Sequence, residues 1–286
     1  MKNNIRDTNN KELQEIIANT ILLPDISNLD CLHEPITASF GLLLLYAQLY
    51  HYSENKERLF SKIVDIINAI RPLASLYAQN RNIGLFGGLC DFGISLLAIN
   101  KETGTYHRLI DSVNTVVASE AADNSLLLEN KIDSKSISMR DYDSILGLSG
   151  ILRYLLLTDS ELYRESIQKV VDALIYLSQY STDKQEAVPN WHIQKDNVFP
   201  YEERESYRSG MINFGLSHGI AGPLAVLSVA KLQGINRPGL AEAIGRLIEF
   251  FLCFVQEQPD GEVYWPSAIT GEEYLKPALS ISPHKR

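Results

Sequence analysis

Cysteine is scarce in this sequence. Three are present in 286 residues, Cys31, Cys90 and Cys253. They are odd in number, widely spaced, and include neither a CxxC nor a Cys-His pair. No zinc site can therefore be composed from them within the chain. Two lie in apolar runs, and the expectation is buried free thiols in a reducing cytosol. Positive charge is also short: 26 Lys and Arg against 35 Asp and Glu leave a net charge of −9, with a pI near 5.2. Nucleic-acid binding needs a basic surface, so nucleic acid is excluded as a partner, whereas a basic peptide would suit. No apolar run reaches the ~18 residues that span a membrane. Residues 1–10 are polar and lack the apolar core of a signal peptide. Low-complexity sequence is absent. What remains is an ordinary globular composition, 45% apolar and 21% charged, long enough for one large domain or two small ones.

Glycine is where the sequence becomes specific. Gly84-Leu85-Phe86-Gly87, Gly147-Leu148-Ser149-Gly150 and Gly219-Ile220-Ala221-Gly222 each place two glycines three apart, and an apolar run follows each. A weaker copy, Ala38-Ser39-Phe40-Gly41, keeps only the second glycine. The second glycines, Gly41, Gly87, Gly150 and Gly222, are spaced by 46, 63 and 72 residues. Repeats on this scale point to a solenoid or a closed array of helical hairpins.

Amphipathic segments lie between the glycine-headed runs. Leu59, Ile63, Ile66, Ile67, Ile70 and Leu73 recur at helical spacing. Ile167, Val170, Val171, Leu174 and Ile175 do so after a cap expected at Asp159 or Ser160, as do Leu240, Ile244, Leu247, Ile248 and Phe251. A less regular set runs from Tyr106 to Ala118, and the polar residues 121–141 read as a loop. One-sided helices belong outside and all-round apolar helices inside. The predicted architecture is all-α, an α/α toroid with inner and outer rings whose inner loops gather at one end. Residues 1–180 and 211–286 form the toroid portion. Residues 181–210, with Trp191, His192 and two prolines, read as a small β-containing surface insert, with Trp191 and His192 in its own packing. Val263-Tyr264-Trp265 is expected to be extended.

Two residues stand out chemically. His218 sits in Asn213-Phe214-Gly215-Leu216-Ser217-His218-Gly219, a glycine-bounded loop ahead of an apolar helix. Imidazole can give or take a proton near neutral pH, though a lone histidine also serves structure. Asp143 lies four residues before the first glycine of its repeat, at the same end as His218. A carboxylate there can orient an imidazole, hold its charge or act as a base, or it can cap a helix or organise a loop. Asp91 reads as a first-turn charge favouring the helix dipole. His33, His51 and His107 have no supporting neighbours in sequence.

Taken together, Gly84-Leu-Phe-Gly-Gly, Tyr142-Asp143 with Gly147-Leu-Ser-Gly-Ile-Leu-Arg-Tyr-Leu-Leu, and Asn213-Phe-Gly-Leu-Ser-His-Gly-Ile-Ala-Gly-Pro-Leu-Ala resemble the lanthionine cyclases, the LanC-type enzymes of lantibiotic biosynthesis. The resemblance covers nearly the whole chain. It implies a seven-fold α/α toroid with a small insert, of which about four repeats are present. It implies closure of thioether rings in a lantibiotic precursor peptide, by addition of a cysteine thiol to dehydroalanine or dehydrobutyrine. His218 matches the family's catalytic histidine, Asp143 its active-site aspartate, and Arg286 the arginine that opens the next motif. The family's zinc is held by two cysteines and a histidine, none of which has a counterpart in this sequence, so no zinc is expected in this chain. The expectation is the N-terminal portion of a cyclase that, by itself, neither binds zinc nor closes rings. The alternative is a non-catalytic module that binds precursor peptide or dehydratase. The implied partners are the precursor, a dehydratase and a transporter, in the cytoplasm or peripherally at the membrane through that complex. An α/α-toroid glycoside hydrolase would need a second carboxylate opposite Asp143, and no obvious one is present.

Overall fold

The computed structural model describes residues 37–53, 55–158, 161–181 and 188–276. Asp159, Ser160, Cys31, His33 and Arg286 lie outside them. The chain divides into two compact units, residues 1–82 with 86–115, and residues 83–85 with 116–286.

The first unit is built from α1 (Thr37–Tyr52), α2 (Lys56–Gln79), α3 (Leu89–Thr103) and the beginning of α4 (His107–Asp133). The Asn55 side chain caps α2 by accepting from the Arg58 N–H at 3.2 Å. As the spacing predicts, α2 buries Leu59, Ile63, Ile66, Ile67 and Ile70, with Leu73 left half-buried. Phe40 of α1 meets Phe92 of α3 at 5.5 Å between ring centres. The Ser95 hydroxyl, buried in α3, donates to the Phe40 carbonyl at 2.9 Å. Gly41 lies inside α1 and not ahead of it, which is why that repeat reads weakly. Asp91 accepts from the Gly87 N–H at the head of α3, while burial pushes its carboxyl above the ordinary range. Burial also pushes up the thiol of the neighbouring Cys90.

The second unit holds the rest of α4, α5 (Met139–Tyr142), α6 (Leu148–Leu155), α7 (Arg164–Leu177), β1 (Met211–Asn213), α8 (Ala221–Leu232), α9 (Leu240–Cys253), β2 (Gln256–Glu257), β3 (Val263–Tyr264), β4 (Ala268–Thr270) and α10 (Gly271–Leu275). Helix α6 is buried on every side except at Arg153, and it packs against α7 and α8. The one-sided α7 and α9 lie outside, with Ile167, Val170, Val171, Leu174 and Ile175 of α7 all buried. Arg246 of α9 donates to the carbonyl of Ser178, the residue that ends α7, at 3.1 Å and to its hydroxyl at 2.9 Å. Arg237 grips Asp172 with both ends of its guanidinium. Pro223 falls in the first turn of α8, where its missing N–H leaves nothing unpaired.

Several expectations change. Residues 121–133 are helix, not loop: Ala121, Ser125, Leu128 and Ile132 are buried at spacings of four, three and four, and the polar residues between them form the solvent face. In α9 the buried aromatic is Phe250, while Ile248 is exposed and Phe251 only half-buried. Of the thiols, Cys90 is buried but Cys253, the last residue of α9, is exposed. Residues 188–210 contain two short 3-10 turns, Lys195–Asn197 and Tyr201–Glu205. Their strand-like content is limited to single bridges from Tyr180 to Pro189 and from Ile193 to Met211. Trp191 reaches past this segment to Phe250 of α9, at 5.1 Å between ring centres. His192 sets its Nε2 2.9 Å from the Ser209 carbonyl. Strand β1 pairs antiparallel with β4, Ile212 opposite Ile269, and β2 pairs with β3. Among the described residues no helix is long and apolar enough to cross a membrane.

Candidate active site

The site is built where two glycine loops meet in the second unit. The first is the turn from Asp143 to Gly147 between α5 and α6. Ser138 and Asp141 form a reciprocal cap at the head of α5, which fixes where the turn begins. Asp143 then folds the chain over its own side chain. Its Oδ1 accepts from the N–H groups of Ile145, Leu146 and Gly147 at 3.0, 2.7 and 2.9 Å. Gly147 is required by this packing: a Cβ there would sit 2.3 Å from the Asp143 nitrogen. Three N–H donors converging on one oxygen give this buried side chain the hydrogen-bond partners that it needs.

The second loop leaves β1 at Asn213 and returns to it. The Asn213 Oδ1 accepts from the Gly215 N–H at 2.8 Å, and its carbonyl accepts from the Ile220 N–H at 2.9 Å. The neck of the loop is thereby closed, with Leu216, Ser217 and His218 exposed beyond it. Backbone bonds also tie the Asp143 turn to its neighbours on both sides. Leu85 donates its N–H to the Ile145 carbonyl at 2.8 Å, and Ser144 donates its own to the Ser217 carbonyl at 2.9 Å.

This places His218 Nδ1 2.7 Å from Asp143 Oδ2. The Asp143 side chain is 0% exposed and that of His218 49%. A carboxylate only accepts, so Nδ1 must carry the hydrogen. The other ring nitrogen, Nε2, then carries the lone pair, on a ring that is about half exposed. A buried, multiply bonded carboxylate that fixes the tautomer and supports the imidazolium is the arrangement by which a histidine moves protons. The two sequence readings of Asp143 therefore hold together: one oxygen organises the loop and the other holds the imidazole. Of the three residues expected at the site, the structure brings His218 and Asp143 together, and Arg286 lies outside the described residues. The other described histidines have local partners: His51 Nδ1 is 3.1 Å from Glu102, and His107 lies against Asn100 and Gly104. Ser144 carries no mark in the sequence. Its hydroxyl's partner is 72 residues away, and no spacing rule reaches it.

The family model described as "Lanthionine synthetase C-like protein" matches residues 36–278. The chain belongs to the lanthionine synthetase C-like family. It is 27% identical over 239 residues to the nisin biosynthesis protein NisC of Lactococcus lactis subsp. lactis, an alignment covering 82% of this chain and 54% of that protein. Its structure is similar to that of nisin cyclase, with a TM-score of 0.71 at 27% identity, covering 83% of this chain and 56% of the other. The fold class is accordingly that of the α/α toroid. The chain spans about half the length of both relatives. Among the described residues no group of three His, Cys, Asp or Glu side chains could hold a metal ion. The described residues by themselves compose no zinc site, and the chemistry that follows uses only the Asp143–His218 pair.

Proposed function

We propose that this chain carries the proton-transfer residues of a lanthionine cyclase acting on a dehydrated lantibiotic precursor peptide. The hydrogen bond from His218 Nδ1 to the buried Asp143 is the observation that carries the reading. Ring closure adds S–H across a C=C bond. A sulfur–carbon bond forms at the β-carbon of dehydroalanine or dehydrobutyrine, the π electrons pass to the α-carbon and its carbonyl as an enolate, and a proton must reach the α-carbon. His218 Nε2 delivers that proton, while Asp143 stabilises the imidazolium before delivery. General acid catalysis of this kind contributes about 10²–10⁴-fold.

The other half of the reaction is forming the thiolate, since a free cysteine thiol has a pKa near ~8.5. In the family reading that is zinc's task, and this sequence offers no ligand set for it. The chain by itself is therefore proposed to leave rings open, and its contact with precursor, dehydratase or transporter belongs to the same proposal. The test separates the two halves by supplying a nucleophile that is already ionised. An arenethiol is added at neutral pH to a dehydroalanine peptide, with the wild-type chain or H218A. The expected result is faster addition with wild type and an excess of one α-carbon epimer, both lost in H218A. Equal rates and equal epimer mixtures would sink the proton-transfer role. Ring closure of the native precursor by the 286-residue chain alone would overturn the incompleteness reading. A chain that retains the precursor in pull-down yet accelerates neither reaction is a binding module.

A further inference from the structure

The Asp143 turn and the His218 loop come from chain segments 75 residues apart. Something must hold the two against each other at fixed spacing, because the imidazole itself is half in solvent. Besides Asp143, which holds the imidazole, one side chain of the turn is bonded to the loop's backbone. The Ser144 hydroxyl donates to the Leu216 carbonyl at 2.8 Å, two residues before His218. Its N–H donates to the Ser217 carbonyl at 2.9 Å, one residue before His218. The serine therefore grips consecutive peptide groups of the histidine loop, from the residue that follows Asp143.

We infer that Ser144 is a positioning residue of the proton-transfer pair, a two-point clamp that sets the His218 loop against Asp143. Leu216 is 61% exposed, so packing of its side chain does little to hold the loop. Asn213 fixes only the neck of the loop. The space behind the clamp is equally specific: a Cβ on Gly222 would lie 2.6 Å from the Ser144 Oγ and 3.1 Å from the Leu216 carbonyl oxygen. Glycine at the head of α8 thus leaves room for the hydroxyl to reach its acceptor. Gly222→Ala pushes on the same hydrogen bond from the opposite side.

The role rests on the reading of Asp143 and His218 as the proton-transfer pair, but the test reads geometry and needs no activity. In the folded chain the His218 Nδ1–H, bonded to a carboxylate, is expected to give a downfield proton resonance whose exchange with water is timed, assigned by its loss in H218Q. In S144A the exchange is expected to accelerate about tenfold, the factor that one ordinary hydrogen bond supplies. S144T, which restores the hydroxyl, brings it back toward wild type. G222A is expected to act in the same direction, and S144A/G222A to be no worse than the stronger of the two single variants, since both remove the same contact. An unchanged resonance and exchange rate in both S144A and G222A would overturn the clamp, as would equal acceleration in S144A and S144T. A melting temperature within a few degrees of wild type shows that the loop has moved and the fold has not. If the arenethiol reaction is indifferent to His218 while S144A behaves as expected, the clamp stands and the proposed function falls.

Discussion

Asp143 does two jobs with its two oxygens, and substitutions can separate them. Asparagine keeps an acceptor for the Ile145, Leu146 and Gly147 N–H groups, so the turn survives. Its amide can present N–H to the imidazole, however, and His218 Nδ1 then becomes the acceptor, moving the hydrogen to Nε2. D143N is therefore expected to melt within a few degrees of wild type, while nitrogen-edited NMR shows the His218 tautomer reversed. Alanine strips all three N–H groups of the acceptor they share, a side chain with no exposure of its own. Each buried donor left unpaired costs about 1–3 kcal/mol, so D143A should lower the melting temperature by many degrees. Equal melting of the two variants would show that the turn does not depend on the carboxyl oxygen.

Helix α4 shows what pattern reading can and cannot recover. Glycine pairs at the heads of α3, α6 and α8 were legible, because close backbone approach admits no other residue and apolar runs follow directly. So was the one-sided burial of α2 and α7. Residues 121–133 were not, because their polar side chains dominate by number and the buried face is made of small residues, Ala121 and Ser125, as much as large ones. The aromatic of α9 was misplaced by one residue, since Phe250 and Phe251 are adjacent and only packing partners decide between them. At the site, His218 and Asp143 were legible from their loops, while Ser144 was not, its partners being set by tertiary structure alone. The helical reading of α4 makes a sharp prediction. Leu128 is 1% exposed and its neighbour Leu127 49%. L128A should cost about 2–5 kcal/mol and L127A about 0.5 kcal/mol or less, read from denaturant midpoints. A loop would not distinguish the two.

For the molecule as a whole, charge and apolar exposure pull against each other. The chain covers about half of the relatives it matches, and its second unit shows water a row of large apolar side chains. Ile248 and Leu252 stand one turn apart on α9, with Val255 after them and Trp265 hydrogen-bonded to the Phe251 carbonyl at 2.7 Å. Apolar surface of this kind drives association unless charge opposes it. At neutral pH the net charge of −9 does oppose it. That repulsion fades as the carboxylates protonate toward the pI near 5.2, where proteins associate most readily. Light scattering of the purified chain should therefore rise steeply as pH falls from 7 to about 5.2, the pI. I248E/L252E should reduce that rise and the binding of an apolar fluorescent dye together, with little change in melting temperature because both side chains are already exposed. Scattering that follows the charge but ignores the double substitution would place the association elsewhere on the surface.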